Sequence, residues 1–494
     1  EPVIVTCDGP SLGGFVCQAV VPEGELWKVG QVKPGDLIRF VPVSYDAARS
    51  IKESQDAAIE SLDENKLVLL NEKLILPTYQ DPVLKVIPGT SEFSPKVTFR
   101  QAGDRYILVE YGELEMNLNF AYRINRLINK VAEMKTIGIV EMSQGVRSVL
   151  IEFDGYKITQ SQLLDLLNQY ESEIIFDGNW NIKTKAFKLP VAFEDSKTLD
   201  CVKRYQETIR SKAPWLPNNV DFIADVNGVT KKDVKDMIYS AKFMVLGLGD
   251  VFLGAPCAVP LDPRHRFLGS KYNPSRTFTP NGTVGIGGMY MCIYAMDSPG
   301  GYQLVGRTIP IWDKLMLGAH SKEHPWLLTP FDTVEFYLVS EEELNQYTED
   351  CENGVFKVLY EESEFDHKDY LAWIEENKES IEAFKKTQDG EKAEEFARLI
   401  AVANQELEEN AADKPEVQEE YPENAEMVYS EYSGRFWKAV VAEGDDIQKG
   451  DGLIVIEAMK TEMAVAAPAT GKVFKILHKN GDMVEAGDLV AVIV

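Results

Sequence analysis

The sequence holds no Cys-x-x-Cys pair. Its six cysteines, Cys7, Cys17, Cys201, Cys257, Cys292 and Cys351, are scattered over 494 residues, and the five histidines, His265, His320, His324, His367 and His478, show no ligand spacing. These lacks argue against a disulfide scaffold and a zinc site, so no metal and a reducing, cytoplasmic setting are expected. Positive charge is short as well: 51 Lys and Arg face 79 Asp and Glu, a net charge of −28. Nucleic acid and anionic membranes are bound through basic patches, so neither is expected as a partner. Long apolar runs are missing too. The longest, Phe243 to Leu261, is broken by Asp250, three glycines and two prolines, whereas a membrane span needs a cleaner run of about 20 residues. It reads as a buried core segment. The opening EPVIVTCDGPSLGGF has no basic start and no long apolar region, so no signal peptide is expected. The abrupt opening suggests a piece of a longer chain.

What is present is ordinary globular composition, 45% hydrophobic and 26% charged, enough for about three or four domains. From Gln405 to Glu431 ten acidic residues face one basic residue, Lys414, with Pro415 and Pro422. That segment reads as a solvated linker. Before it, Leu371, Ile374, Ile381 and Phe384 fit one helix face, and Phe396, Ile400 and Leu407 another. Beyond it, Glu443-Gly444-Asp445 with Gly450 recurs as Asn480-Gly481-Asp482 with Gly487, each copy leading into an apolar strand. Two such half-units predict a flattened all-β barrel with near two-fold symmetry.

A second repeat spans the main body. Residues 34–44, PGDLIRFVPVS, align without gaps on residues 330–340, PFDTVEFYLVS, and Gly13-Gly14-Phe15 corresponds to Gly300-Gly301-Tyr302. Each copy reads as turn, strand and helix, with Ser340 and Glu343 as a capping box. Two related β-rich domains in tandem follow, the first represented only by its last part. Between them, strand-like 106–110 and 147–153 alternate with helical 117–131 and 161–170, a split βαβ pattern. From Leu189 on, strand and turn signals dominate again.

Two places could carry chemistry. Lys460, in IEAMKTEM, falls between the two half-units of the C-terminal domain, at a hairpin tip where its amine is open to modification. The plain alternative is an ordinary turn lysine. The second place spans Leu261–Thr308: Asp262, Arg264, His265, Arg266, Lys271, Tyr272, Asn273, Arg276, the run Gly285-Ile286-Gly287-Gly288, Gln303 and Arg307. Glycines let backbone amides approach a ligand, Arg and Lys bind carboxylates, and Gln and Asn bond a neutral amide from both sides. The plain alternative is turns and surface charge. Asp250 could act as acid/base or ligand, or sit in an exposed turn. His265 could relay a proton or lie on the surface. Asp36 and Asp332 read as turn residues and Trp215 as core.

Residues 429–494 resemble a biotinyl carrier domain, with Lys460 at the biotinylated position; lipoyl domains usually carry an acidic residue where Met459 stands. The order GPSLGG…KPGDLIRF, FRQAGDRYILVEYG, LDPRHR…NGTVGIGG…SPGGYQLVGRT resembles the paired domains shared by urea carboxylases, 5-oxoprolinase subunits and a bacterial kinase-inhibitor pair. KYNPSRT and GAPCAVPLDPRHR look nearest to the urea carboxylase branch. The resemblance implies a mainly β fold with α+β parts: two tandem cyclophilin-like β-barrel domains (the first partial), an inserted split-βαβ unit, a helical tail and the biotinyl barrel. The expected boundaries are 1–49 for the partial first domain, 50–96 for a connecting segment, 97–180 for the α+β subdomain, 181–340 for the second barrel, 341–428 for tail and linker, and 429–494 for the carrier.

The implied function is that of a biotin-dependent ligase's carboxyltransferase half. It moves CO2 from carboxybiotin on Lys460 to a urea nitrogen, giving allophanate for urea degradation. Implied cofactors are biotin on Lys460, with ATP, Mg and bicarbonate at a biotin carboxylase domain not in this chain. Implied partners are urea, that domain, a biotin protein ligase and an allophanate hydrolase. Within this reading Lys271, Arg276 and Arg307 bind the migrating carboxylate. Tyr272, Asn273 and Gln303 bind urea or biotin, and the amides near Gly287 and Gly288 act as donors. Carboxylation of another N–H acceptor such as guanidine, or a regulatory binding role, stays open at this point.

Overall fold

In the computed structural model the described residues are 4, 19–33, 36–70, 74–75, 81–91, 93–174, 178–249, 254–318, 322–390, 396–405, 421–422, 424–430, 434–458, 461–479, 482–484 and 487–494. Asp250, Lys460 and the Gly13-Gly14-Phe15 segment lie outside them. Two units are distinguished: one gathers residues 1–23, 78–206 and 212–403, the other 24–77, 207–211 and 404–494.

In the second unit, the short helix α1 (Leu26–Val29) precedes α2 (Tyr45–Ser61). The Ser44 side chain caps α2 by accepting from the Ala47 amide, and Ala47, Ala48, Ile51 and Ala58 form its buried face. Ser340 caps its helix in the same way in the second copy of the repeat. The strand expected before Ser44 does not form over the described residues 36–42. A strand needs paired neighbours to be stable, and these residues have no strand pairing.

The first unit begins with β1 (Val83–Ile87), β2 (Val97–Ala102), β3 (Tyr106–Tyr111), α3 (Leu118–Glu133), β4 (Ile139–Gln144), β5 (Ser148–Phe153) and α4 (Gln160–Glu173). The strands form an antiparallel sheet ordered β1-β2-β3-β5-β4. Alternate residues of β3 and β5 are buried: Ile107, Val109 and Tyr111, then Val149, Ile151 and Phe153. That is the two-residue period of a half-covered sheet. Arg123 of α3 and Glu171 of α4 form a buried ion pair at 2.8 Å, and the Tyr111 hydroxyl donates to the same carboxylate. Both helices therefore pack on the β3 face. Burial, with Glu171 beside it, pushes the Tyr111 hydroxyl well above its ordinary pKa.

The chain continues through β6 (Asn181–Phe193), α5 (Ser196–Thr208), α6 (Asn219–Asn227), α7 (Lys231–Ser240), β7 (Phe243–Leu248), β8 (Pro256–Pro260), β9 (Arg276–Thr279), β10 (Thr283–Gly287), β11 (Tyr290–Ile293), β12 (Ser298–Gly300), β13 (Gln303–Arg307) and β14 (Thr333–Leu338). The sequence pattern marks strands and turns here, yet three helices intervene. Their signals are short and local: Asn218 accepts from the Val220 and Asp221 amides, and Thr230 with Asp233 closes a capping box. After α8 (Glu341–Glu352), which starts on the expected Ser340–Glu343 box, comes β15 (Leu359–Asp366). The sheet order is β13-β10-β11-β8-β7-β14-β6-β15, and β13 also pairs with β6. Seven strands thus close into a ring, with β15 attached outside it on β6. The apolar core includes Leu189, Val191, Val245, Val284, Ile293, Leu304 and Val334. Two tail helices follow, α9 (His367–Glu376) and α10 (Lys378–Gln388), then helical residues 396–405.

The C-terminal domain has β16 (Glu426–Tyr429), β17 (Gly434–Ala439), β18 (Asp446–Ile447), β19 (Gly452–Ala458), β20 (Thr461–Ala466), β21 (Gly471–Ile476), β22 (Met483–Val484) and β23 (Leu489–Ile493). They form two four-stranded sheets, β16-β23-β21-β18 and β20-β19-β17-β22, around Phe436, Leu453, Ile454, Ile456, Val465, Val473 and Val490. Among the described residues no helix is long and apolar enough to cross a membrane, and no three His, Cys, Asp or Glu side chains gather as metal ligands.

Candidate active site

The stretch from β8 to β9 returns across one end of the ring. There Gly269, Ser270 and Lys271 meet the β10–β11 turn and the start of β13. A Cβ at Gly269 would stand 3.9 Å from the Gly288 amide nitrogen. Gln303, fully buried, donates from Nε2 to the Ser270 carbonyl at 2.7 Å. Its Oε1 and the Ser270 hydroxyl are both buried without a hydrogen-bond partner among the described residues. Lys271 Nζ lies 4.9 Å over the Tyr302 ring. That ring presses on the backbone of Gly287, where a Cβ would come within 2.4 Å of it. Gly288 has φ +60°, and the space where its Cβ would stand is open. This stretch thus carries one cation, one fixed amide acceptor, one hydroxyl and an uncrowded turn. Such a set can hold a carboxylate and a small amide together.

Beneath this cluster lie groups that support it. Tyr272 is buried, donates from its hydroxyl to Asn219 Oδ1 at 2.8 Å, and packs against Trp215 and Tyr205. Burial pushes its pKa up. Arg276 is buried under Tyr272, 4.3 Å from the ring centre. Its guanidinium donates to the Tyr302 carbonyl (2.7 Å), the Tyr294 hydroxyl (3.0 Å) and Thr279 Oγ1 (3.2 Å). These bonds tie Arg276 into the fold. Asn273 is exposed.

Arg307 stands at the far end of β13, four residues from Gln303. Its Nε donates to Asp195 Oδ1 at 2.6 Å and its Nη2 to Asn345 at 3.0 Å, and the side chain is buried. This guanidinium is held by a buried carboxylate. His265 ends a short 3-10 turn, Pro263–His265, that contacts α10. Its Nδ1 is buried without a hydrogen-bond partner among the described residues, and burial lowers its pKa. Asp332 accepts from the Thr329 and Lys185 amides, a turn role as expected, and burial raises its pKa. Trp215 is core.

In the C-terminal domain β19 and β20 pair antiparallel, with Ala458 opposite Thr461. Only Met459 and Lys460 stand between these strands in sequence. A lysine at this connection fits an attached group on a long arm, and the orphaned acceptor at Gln303 fits the N–H of a ureido ring or an amide.

Three family models match the chain. "Carboxyltransferase domain, subdomain C and D" covers residues 97–319, "Carboxyltransferase domain, subdomain A and B" covers 1–42, and "Biotin-requiring enzyme" covers 423–493. The urea amidolyase of Lachancea kluyveri is 76% identical over 100% of this chain and 27% of its own length. That of Saccharomyces cerevisiae is 69% identical over the same shares. The crystal structure of the Kluyveromyces lactis urea carboxylase superposes with TM-score 0.84 at 70% identity, covering 100% of this chain and 43% of that one. The chain carries the carboxyltransferase and biotin-requiring domains that these models describe, and it is similar over its whole length to urea amidolyases. It spans 27% of the length of these urea amidolyases.

Sequence reasoning missed Ser270 and Asn219. Asn219 Oδ1 accepts from both Tyr272 and the Leu304 amide, tying α6 to the site loop and to β13. Neither residue belongs to a motif; their burial is set by the ring closing around them.

Proposed function

We propose that this chain is the carboxyltransferase and biotin-carrier portion of a biotin-dependent urea carboxylase, giving allophanate. The observation that carries the reading is one chain, 76% identical throughout to a urea amidolyase, that carries both the Ser270–Gln303 contact beside Lys271 and the β19–β20 hairpin. Biotin joined to the Lys460 amine would supply the carboxyl group. Lys271 would hold the carboxylate by charge, steadied by the Tyr302 face. Gln303 Oε1 would accept from a urea N–H2, and the Ser270 hydroxyl would serve either partner. The open turn at Gly288 would offer a backbone amide to developing negative charge. Holding donor and acceptor together in a water-poor cleft supplies most of the advantage. Asp250 remains a candidate proton acceptor in this reading. The ring of β6 to β14 is taken as the cyclophilin-like barrel. A biotin carboxylase domain using ATP, Mg and bicarbonate, a biotin protein ligase and an allophanate hydrolase complete the scheme, in the cytoplasm.

The test is acceptor-dependent ADP release by biotinylated protein with a biotin carboxylase component, ATP and bicarbonate. Stimulation by urea, lost in Lys460→Arg and lowered at least tenfold in Lys271→Met, is the expected result. Stimulation by guanidine, acetamide or 5-oxoproline in place of urea would move the substrate. Silence with every acceptor would reject the reading.

A further inference from the structure

The loop that carries Ser270 and Lys271 is tied to the tail of the chain by two buried amide side chains, one on α6 and one on α10. Gln388, the last residue of α10, is buried and donates from Nε2 to Asn227 Oδ1 at 2.9 Å and to the Arg266 carbonyl at 2.8 Å. Asn227, the last residue of α6, is fully buried. It donates to the carbonyls of Ile223 and Leu268, each at 2.8 Å, and accepts from the Leu268 amide at 2.7 Å. Leu268 is thus held on both its backbone polar groups, and Arg266 on its carbonyl, within five residues of Lys271. Phe396, in the helical stretch that follows, packs on Phe222 of α6 with ring centres 6.1 Å apart. From there the chain runs on through the acidic stretch to the carrier domain.

Buried amide networks are costly when broken and geometrically strict when complete. A bond to a loop backbone next to a reacting group fixes where that group stands, and misplacement of about 1 Å costs on the order of 10²-fold in rate. We propose that Asn227 and Gln388 are positioning residues for carboxyl transfer: they lock residues 266–268, and through them Lys271, to α10. The inference rests on the proposed role of Lys271. Both partners of Gln388 Nε2 are acceptors, which makes the latch chemically selective. Methionine at 388 keeps the length and loses the donor. Glutamate keeps the shape and sets an acceptor against two acceptors, until protonation restores one O–H donor. Between carbonyl oxygens and out of water, such a carboxyl titrates above the ordinary range.

The experiment compares Gln388→Met and Gln388→Glu in the full-length biotinylated enzyme. Three quantities are read: acceptor-dependent turnover, acceptor-independent biotin carboxylation, and hydrogen exchange of the Leu268–Lys271 amides. Expected in Gln388→Met are faster exchange in that peptide and acceptor-dependent turnover down at least tenfold, with biotin carboxylation unchanged. Gln388→Glu should behave the same at high pH and recover relative to wild type as pH falls, whereas Gln388→Met should not recover. Faster exchange with wild-type turnover would overturn the proposal. So would unchanged exchange, or a loss in Gln388→Glu that does not depend on pH. Wild-type enzyme that ignores urea would refute the acceptor reading instead; the turnover arm then runs with the acceptor that does stimulate, and the exchange arm, which needs no acceptor, decides whether the latch orders the loop.

Discussion

Arg307 Nε and Asp195 Oδ1 lie 2.6 Å apart, with 3% and 0% of the two side chains exposed. Asp195 also accepts from the Thr198 hydroxyl and the Lys197 and Thr198 amides at the start of α5. The pair therefore fastens the end of β13 to a helix N-terminus. Breaking a buried pair from one side leaves the other charge unanswered, at about 3–5 kcal/mol. Arg307→Ala is expected to lower stability by that order, read by denaturant unfolding. Normal stability with abolished transfer would restore a direct role in binding the carboxylate.

Arg276 gives a second separation of structure from chemistry. Arg276→Met removes the guanidinium bonds to the Tyr302 carbonyl, the Tyr294 hydroxyl and Thr279 Oγ1, and a hydrogen bond to a charged group contributes about 1.5–3 kcal/mol. The expected outcome is a clear drop in melting temperature. Unchanged melting with lost turnover would place Arg276 in the reaction.

Gly287 tests the close approach under Tyr302. A methyl group there would overlap the ring at 2.4 Å, and overpacking of a dense site costs about 1–3 kcal/mol. Gly287→Ala should push Tyr302 from beneath Lys271 and reduce acceptor-dependent turnover more than acceptor-independent biotin carboxylation. Gly288→Ala meets no atom within 4 Å but strains the positive φ. Equal behaviour of Gly287→Ala and wild type in both half-reactions would contradict the geometry.

Glu194, just past β6, has its own pH signature. Burial works to raise its pKa, but Lys231, Lys235 and Asn218 outweigh burial and hold it at about 2, against an ordinary 4.5. The folded value is depressed, so the stabilisation is present above the ordinary range and is lost as pH falls from about 4.5 toward 2. Glu194→Gln should be less stable than wild type at pH 7, with the difference shrinking across that window in acid-unfolding curves. A difference that stays constant down to pH 2 would show that the carboxylate is not the source.

The sequence made the ends of this molecule legible and its middle less so. The capping box at Ser340–Glu343 is a local signal, and it stands where it was expected. Lys271 and Gln303 were readable as candidates because glycines and a cation crowd one stretch, and in the structure Gln303 bonds the backbone of Ser270, the neighbour of Lys271. Arg276 and Arg307 were not separable from them by spacing. Whether a guanidinium meets a substrate or a buried partner such as Asp195, 112 residues away, depends on ring closure, which no local pattern encodes. Helices α5 to α7 escaped because their caps are brief and their apolar faces are only two or three turns long.

Strand β15 ends the order of the large sheet, paired to β6 on one side. Its sequence, LYEESEFD, places four carboxylates along eight residues. An open strand edge invites a second copy to add its own strand, and like charges along the edge oppose that. The barrier is electrostatic, and screening weakens it as salt rises. Colloidal behaviour in concentrated solution should therefore follow ionic strength, with self-association favoured where the fringe of charge is screened.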